Sequence, residues 1–366
     1  MHDWIADPQQ FDEWLNAHPS DAGSDRICLD TEFMRTNTFL PRLALIQIAI
    51  GGEIALVDAP ALARFDGFVA RLRGTRSICV MHSASEDLEA LAPMLPEGPT
   101  RLFDTQIASA MAGLGAGLSY QKLVATLLGI DLPKSETRSD WLQRPLTAAQ
   151  LDYAAQDVVY LAEIHEQLAR KLAALGREEW LAEDCRRLIE RVRGGHPDLQ
   201  PQRAFRAAAE WPAEQQARLR KLLLWREDAA RRFDKPRSWL LDDAAALSLA
   251  AQAPASNDEL FERTKGLRAL RSSQRRELFD LLQAPLSADD LDLAPIPAHP
   301  NNAEKRALAA MKDAIDAIAT RLDLPAALLC PRRHLETLLA DRTWPAALEG
   351  WRRPLLHDAL MPFLPA

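Results

Sequence analysis

Cysteine is scarce, with four in 366 residues (Cys28, Cys79, Cys185 and Cys330) and no CxxC pair among them. That spacing argues against a disulfide framework or a cysteine-ligated zinc site and fits a reducing cytosol. Long hydrophobic runs are missing as well. No apolar stretch approaches the roughly 20 residues that cross a bilayer. The start, MHDWIADPQQ, has neither the basic head nor the apolar core of a secretory signal. The expectation is a soluble, cytoplasmic chain. There is no phosphate-cradling GxxxxGK[ST] loop, which leaves out a fused helicase. Nor is there net positive charge: the sum is −8. The distribution is uneven, however. Between Arg203 and Arg237 ten Lys/Arg stand against five Asp/Glu, and between Glu262 and Glu277 six against two. For a polyanionic partner local fields matter more than the total, although solvated helix faces give the same pattern.

With 48% hydrophobic and 26% charged residues the composition is that of an ordinary globular protein, and the length suits two or three domains. Residues 1–175 alternate strand and helix patterns. In ADPQQFDEWLNA, Asp7 stands as a cap and Pro8 at the first helical position. RICLDTEF and RLALIQIAI are β-rich runs, and Gly51-Gly52 before EIALVDA marks a hairpin. SICVMHSASEDLEAL and RLFDTQIASAM each read as a short strand entering a helix. The pattern predicts an α/β domain whose mixed sheet begins antiparallel and gains parallel strands. From Thr147, which has capping-box spacing with Gln150, the chain is helical.

RGGHPDLQPQ (193–202) reads as a linker and DLAPIPAHPNN (292–302) as a second break. The segments that follow each break share a motif. Arg232-Phe-Asp234-Lys-Pro236 is echoed 89 residues on by Arg321-Leu-Asp323-Leu-Pro325, each after a long helical pattern. Two copies of one small helical module are expected.

The stretch ICLDTEFMR sets Asp30 and Glu32 two apart on a strand, so both carboxylates aim at one face. Such a pair is costly unless a cation sits between them. Two further groups fit the same site. Asp87 falls in the first turn of a helix that follows a buried strand, a position the helix dipole also favours. Tyr153 and Asp157 are i and i+4 on one helix face. A set of carboxylates with no nearby Cys or His cluster is a hard, oxygen-only site suited to Mg²⁺ or Mn²⁺. A phenol with a pKa of about 10 is a poor general base at neutral pH, so Tyr153 suits the aiming of a water.

Asp30-Thr-Glu32, an Asp in the helix after a strand, and Tyr-x-x-x-Asp together resemble the three motifs of the DEDD superfamily of 3′–5′ exonucleases, tyrosine subclass. KSETRSDWLQRPLTAAQLDYAAQDVVYL (134–161) is similar to the ribonuclease D family. LLLWREDAARRFDKPRSWLLDDAAALSLA (222–250) resembles the HRDC domain of helicases and ribonuclease D. The resemblance implies a ribonuclease-H-like exonuclease domain over 1–175, a helical linker over 176–202, an HRDC domain over 203–290 and a second, diverged HRDC-like domain over 300–366. It implies catalysis by Asp30, Glu32, Asp87, Tyr153 and Asp157, the four acids holding two Mg²⁺ or Mn²⁺ ions with Asp30 as the bridge. The reaction implied is 3′–5′ hydrolysis of RNA, tRNA precursors being the typical substrate, by a monomer with no organic cofactor and no membrane contact.

Around that centre, Thr31, Phe33 and Met34 are candidates for the floor under the terminal nucleotide. His82, at a strand end, could touch substrate or simply pack. Lys134, Arg138 and Arg144 are candidate phosphate contacts. Trp141 offers either a stacking surface or a buried anchor. Asp104 reads as an N-cap, and Asp152, about 100° around the helix from Tyr153, as exposed. Arg263, Lys265, Arg268, Arg271, Arg275 and Arg276 suit phosphate contacts that position without reading sequence. Two other readings stand beside an exoribonuclease: a DNA-directed exonuclease, and a non-catalytic RNA-binding adaptor, which would be expected to have lost one of the five motif residues.

Overall fold

The computed structural model describes residues 2–18, 25–133, 139–194 and 198–364. The chain divides into two units, one of Met1–Met34, Arg42–Gly195 and Asn302–Ala366 and the other of Arg35–Pro41 and His196–Asn301.

The first unit is built on β1 (Asp3–Ile5), α1 (Pro8–Ala17), β2 (Asp25–Met34), β3 (Arg42–Ile50), β4 (Glu53–Asp58) and α2 (Asp66–Arg73). It continues through β5 (Ser77–Met81), α3 (Ser85–Leu91), β6 (Leu102–Asp104), α4 (Thr105–Met111) and α5 (Tyr120–Leu128). Three longer helices follow: α6 (Ala148–Val159), α7 (Leu161–Leu175) and α8 (Glu178–Gly194). The sheet order is β1-β4-β3-β2-β5-β6. The strands β2, β3 and β4 run antiparallel, whereas β1, β5 and β6 join parallel. This is the mixed sheet the sequence predicts, with one strand added, β1, whose three residues are too few to show a period. Gly51 and Gly52 turn between β3 and β4 at φ +61° and +93°, conformations that a side chain would strain. Asp7 caps α1 by accepting from the Gln9 and Gln10 amides. Thr147 and Gln150 form the expected capping box of α6.

The helical pattern from Thr147 onward does not give one continuous rod. It breaks at Tyr160. The Tyr120 hydroxyl donates to the Gln156 carbonyl (3.1 Å) and accepts from the Tyr160 amide (3.2 Å). Those are the two groups an unbroken helix would join to each other. A phenol inserted into the ladder separates α6 from α7.

The second unit carries α9 (Ala213–Phe233), α10 (Arg237–Leu240), α11 (Asp243–Ala251), α12 (Asn257–Thr264), α13 (Ser272–Gln283) and α14 (Ala288–Leu291). Its own core includes Leu219, Leu222, Leu223, Leu249, Leu260 and Leu278. Within it Asp234 Oδ1 accepts the Phe39 amide at 2.8 Å, and the Arg231 and Arg237 guanidinium groups lie over the Phe39 ring.

Four helices remain, α15 (Asn302–Leu322), α16 (Ala326–Leu329), α17 (Arg332–Asp341) and α18 (Arg353–Leu360), and the first three repeat the backbone path of α9–α11. Both α9 and α15 have 21 residues, and they end on left-handed Asp234 (φ +46°) and Asp323 (φ +50°). Pro236 and Pro325 then start four-residue helices that stop on extended Leu241 and Cys330. The five-residue echo in the sequence thus marks a repeated chain path. The surroundings of the two copies differ. The segment expected as a separate domain over 300–366 shares one core with the sheet, with Met311, Ile315, Leu335 and Leu356 in the same cluster as Ile27, Leu29 and Leu168. The region expected as a linker supplies the contact surface: α8 buries Leu181, Cys185 and Ile189. Trp180 stacks on Trp351 (4.5 Å, 10°). Asp184 receives two hydrogen bonds from Arg352, at 2.6 and 2.7 Å, with both side chains buried. All four cysteines are buried and free. Among the described residues no helix is long and apolar enough to cross a membrane.

Candidate active site

Strand β2 runs between β3 and β5, with Asp30 paired opposite Gln47 and Glu32 opposite Leu45. A register shift falls between Glu32 and Phe33. Because β5 lies parallel to β2, the helix that follows it, α3, begins beside the carboxylate end of β2 and brings Asp87 there. α6 packs against β2, β3 and β4 and presents Tyr153 and Asp157. Three elements well separated in sequence thus converge on one end of the sheet.

The electrostatics report that convergence. Burial, then repulsion from Asp87, Asp157 and Glu32, holds Asp30 well above the ordinary carboxylate range. Burial, with repulsion from Asp157 and Asp87, pushes Glu32 up to about 8. Burial raises Asp157 to about 7 although the Tyr153 hydroxyl hydrogen-bonds it. Asp87 rises to about 6, again through burial, with a hydrogen bond from Thr31 pulling the other way. Tyr153 is itself raised, by burial and by the surrounding anions, and keeps its proton. As the side chains stand, no three His, Cys, Asp or Glu groups among the described residues are drawn together closely enough to hold a metal ion. Two observations fit a cation nonetheless. The donor set is oxygen only, as a hard cation requires. Asp157 Oδ2 is buried with no hydrogen-bond partner, an arrangement that is costly unless something positive meets it.

Asp104 supports the site from below. It caps α4 by accepting from Gln106 and Ile107, as its position predicts, and it also accepts from the Ser83 and Ala84 amides ahead of α3. Asp152 is exposed, as expected.

Several residues placed at the site by sequence do other work. Thr31 is buried and donates to Asp87 Oδ1 at 2.6 Å, so it does not line a nucleotide floor. His82 Nε2 donates to the Leu118 carbonyl (3.0 Å) and Nδ1 lies 2.9 Å from Thr105 Oγ1, which leaves no ring nitrogen for substrate. Trp141 is 3% exposed, its ring 6.0 Å from that of Tyr153; it is an anchor. Arg144 spends its guanidinium on Asp58 (2.6 and 3.0 Å) and on the Ala44, Trp141 and Gln143 carbonyls, so it is not a free phosphate ligand. Phe33 and Met34 are half-buried just past the register shift. Lys134 and Arg138 lie outside the described residues. Two neighbours escape the sequence reading. Gln47, opposite Asp30, is fully buried with both amide atoms unpartnered; its trace in the sequence is one polar residue inside RLALIQIAI. Tyr120 is one of only three tyrosines in the chain, which marks it but does not locate it.

The mixed sheet and the acidic cluster with its phenol define a 3′–5′ exonuclease, and a family model of that description matches residues 2–173. A model of the HRDC domain matches residues 215–273. Ribonuclease D of Xanthomonas oryzae is 42% identical over 367 residues, covering 100% of this chain and 99% of its own length. That of a Shewanella species is 35% identical, covering 92% and 88%. The crystal structure of Escherichia coli RNase D, described as an exoribonuclease involved in structured RNA processing, superimposes with a TM-score of 0.83 at 29% identity, covering 99% of this chain and 98% of that one. The chain belongs to the ribonuclease D family, and its activity class is that of a 3′–5′ exoribonuclease.

Proposed function

We propose that the protein trims RNA from the 3′ end one nucleotide at a time, tRNA precursors in particular, releasing nucleoside 5′-monophosphates with the help of two divalent cations, Mg²⁺ or Mn²⁺. One observation carries this: burial raises the proton affinity of Asp30, Glu32, Asp87 and Asp157, acids from three elements, and repulsion adds to it, from Asp87, Asp157 and Glu32 on Asp30, from Asp157 and Asp87 on Glu32 and from Asp87 on Asp157, with Tyr153 hydrogen-bonded to Asp157. Asp30, Glu32, Asp87 and Asp157 would hold the cations, and Asp30, which feels all three of the others, suits the shared position. When bound, such cations stabilise the attacking and leaving oxygens of an in-line displacement at phosphorus and keep the carboxylates ionised.

The remaining chemistry belongs to side chains. Tyr153 retains its proton and is no base; its hydroxyl donates to Asp157, and its oxygen would accept from, and so orient, the attacking water. Trp141 against its ring restricts the tilt of that hydroxyl. Phe33, half-buried past the register shift, supports the terminal nucleotide. Lys134 and Arg138 hold the phosphates that follow. In the HRDC domain Arg263, Lys265 and Arg275 are engaged with Glu259, Glu262 and Thr264, whereas Arg268, Arg271 and Arg276 suit salt-sensitive phosphate contacts. In domain terms, 1–175 is the exonuclease, 203–290 the HRDC domain, and 300–366 a second copy given over to the exonuclease core. The protein works as a cytoplasmic monomer.

The test is to incubate the full chain with a 3′-extended tRNA and a matched DNA strand, with and without Mg²⁺, and resolve the products. Mononucleotide ladders from the RNA only, abolished by chelation, are expected. Equal trimming of DNA would move the assignment to a DNA-directed enzyme, and an untouched RNA tail would end it.

A further inference from the structure

Thr31 sits between the paired carboxylates, and strand alternation turns its side chain to the face opposite theirs. Its hydroxyl is nevertheless part of the same cluster, donating to Asp87 Oδ1 at 2.6 Å, and both residues are buried, at 5% and 7% exposure. β2 therefore contributes three groups to one centre: two acids from one face and a hydroxyl from the other. Asp87 needs such help. Its helix has seven residues, and the cap position is Ala84, which offers no side-chain hydrogen bond. The side chain that fixes the Asp87 carboxylate comes from the neighbouring strand, 56 residues upstream.

We propose that Thr31 is a positioning residue. Its hydroxyl holds Asp87 by Oδ1, together with the Thr31 and Asp87 backbone amides that bond the same carboxylate, so that a ligand carried by α3 takes its register from the strand that carries Asp30 and Glu32. This rests on Asp87 being a metal ligand. A hydroxyl bonded to a ligating carboxylate orients it and reduces the freedom lost on binding. Removing such a partner commonly weakens metal binding about 10–100-fold.

The experiment compares the full chain with its Thr31→Val, Thr31→Ser and Asp87→Asn variants. It measures Mn²⁺ binding by calorimetry and paramagnetic resonance, alongside melting in chelator. Thr31→Val keeps the shape and removes the donor; its Mn²⁺ Kd is expected to rise about 10–100-fold. Thr31→Ser restores the donor and is expected to stay within about threefold of the parent. If Thr31→Val does not fold, Thr31→Cys, with a weaker donor of similar size, is expected to give an intermediate Kd. A valine variant with unchanged Mn²⁺ affinity, while Asp87→Asn binds poorly, would overturn the positioning role alone. A melting shift in chelator with no change in Mn²⁺ binding would reduce the contact to a strut between α3 and β2, and overturn it equally. Unchanged binding in Asp87→Asn would overturn the ligand reading and this role together.

Discussion

Neutralising Asp87 should make the metal-free enzyme more stable as it becomes less active. Asp87 is 7% exposed, and burial lifts its pKa from the ordinary 3.8 to about 6. The folded chain thus binds that proton more tightly than the unfolded chain does. The stabilisation is complete below the ordinary value of 3.8 and is lost as pH rises through about 6. At about 1.4 kcal/mol per pH unit, the span from 3.8 to about 6 corresponds to about 3 kcal/mol. An amide in its place has no proton to lose, so at pH 8 in EDTA the Asp87→Asn variant should exceed the parent by up to about 3 kcal/mol. In a unit of this size that is roughly 6–12 °C in melting temperature. Asp30, Glu32 and Asp157, relieved of one anion, add in the same direction. At pH 4 the two proteins should converge, and saturating Mn²⁺ should reverse their order at pH 8. The assay is tryptophan fluorescence melting of both proteins from pH 4 to 8, with and without metal, read as the difference between them. A variant no more stable than the parent at pH 8 in EDTA would refute the reasoning. So would a difference that shrinks as pH rises.

Tyr153→Phe should leave Mn²⁺ binding intact and lower single-turnover cleavage by roughly 10²-fold, the scale of one preorganised hydrogen bond; parental turnover would remove Tyr153 from the mechanism. Gln47→Leu should raise the melting temperature in chelator, because an amide with 0% exposure and no partner carries a desolvation cost of about 1–3 kcal/mol that leucine lacks; a fall would reveal a partner for that amide. Arg352→Ala should cost about 3–5 kcal/mol by leaving buried Asp184 without its counter-charge, a loss that chemical denaturation would read directly. By the same logic a chain ending before Asn302 should fail to give a soluble exonuclease, whereas deletion of a truly separate module would leave one; expression and melting decide.

Much of the site was legible because its ingredients are local. Asp30 and Glu32 are two apart on a strand, Tyr153 and Asp157 four apart on a helix, and the Asp7, Asp104 and Thr147 caps lie within three residues of the amides they serve. What escaped was set by distant partners. Nothing near Arg144 announces Asp58, 86 residues upstream, and nothing beside Thr31 announces Asp87. The amphipathic face of α8 reads equally well as a connector or as a docking surface. The last helices read as an independent copy because their motif is that of α9–α11, while the partner that completes their core is the sheet unit. Helix propensity around residues 156–160 is sound, so the break at Tyr160 is visible only once Tyr120 is known to arrive there.

That intrusion has a consequence for how the enzyme tolerates change. The turn bearing Asp157 is terminated by a group lent from α5, and so its geometry is indifferent to the helix-forming strength of its own residues. Substitutions at 158 or 159 can drift in propensity without lengthening the rod. Loss of the Tyr120 hydroxyl, by contrast, would let the two helices fuse and swing Asp157 away from Asp30, Glu32 and Asp87.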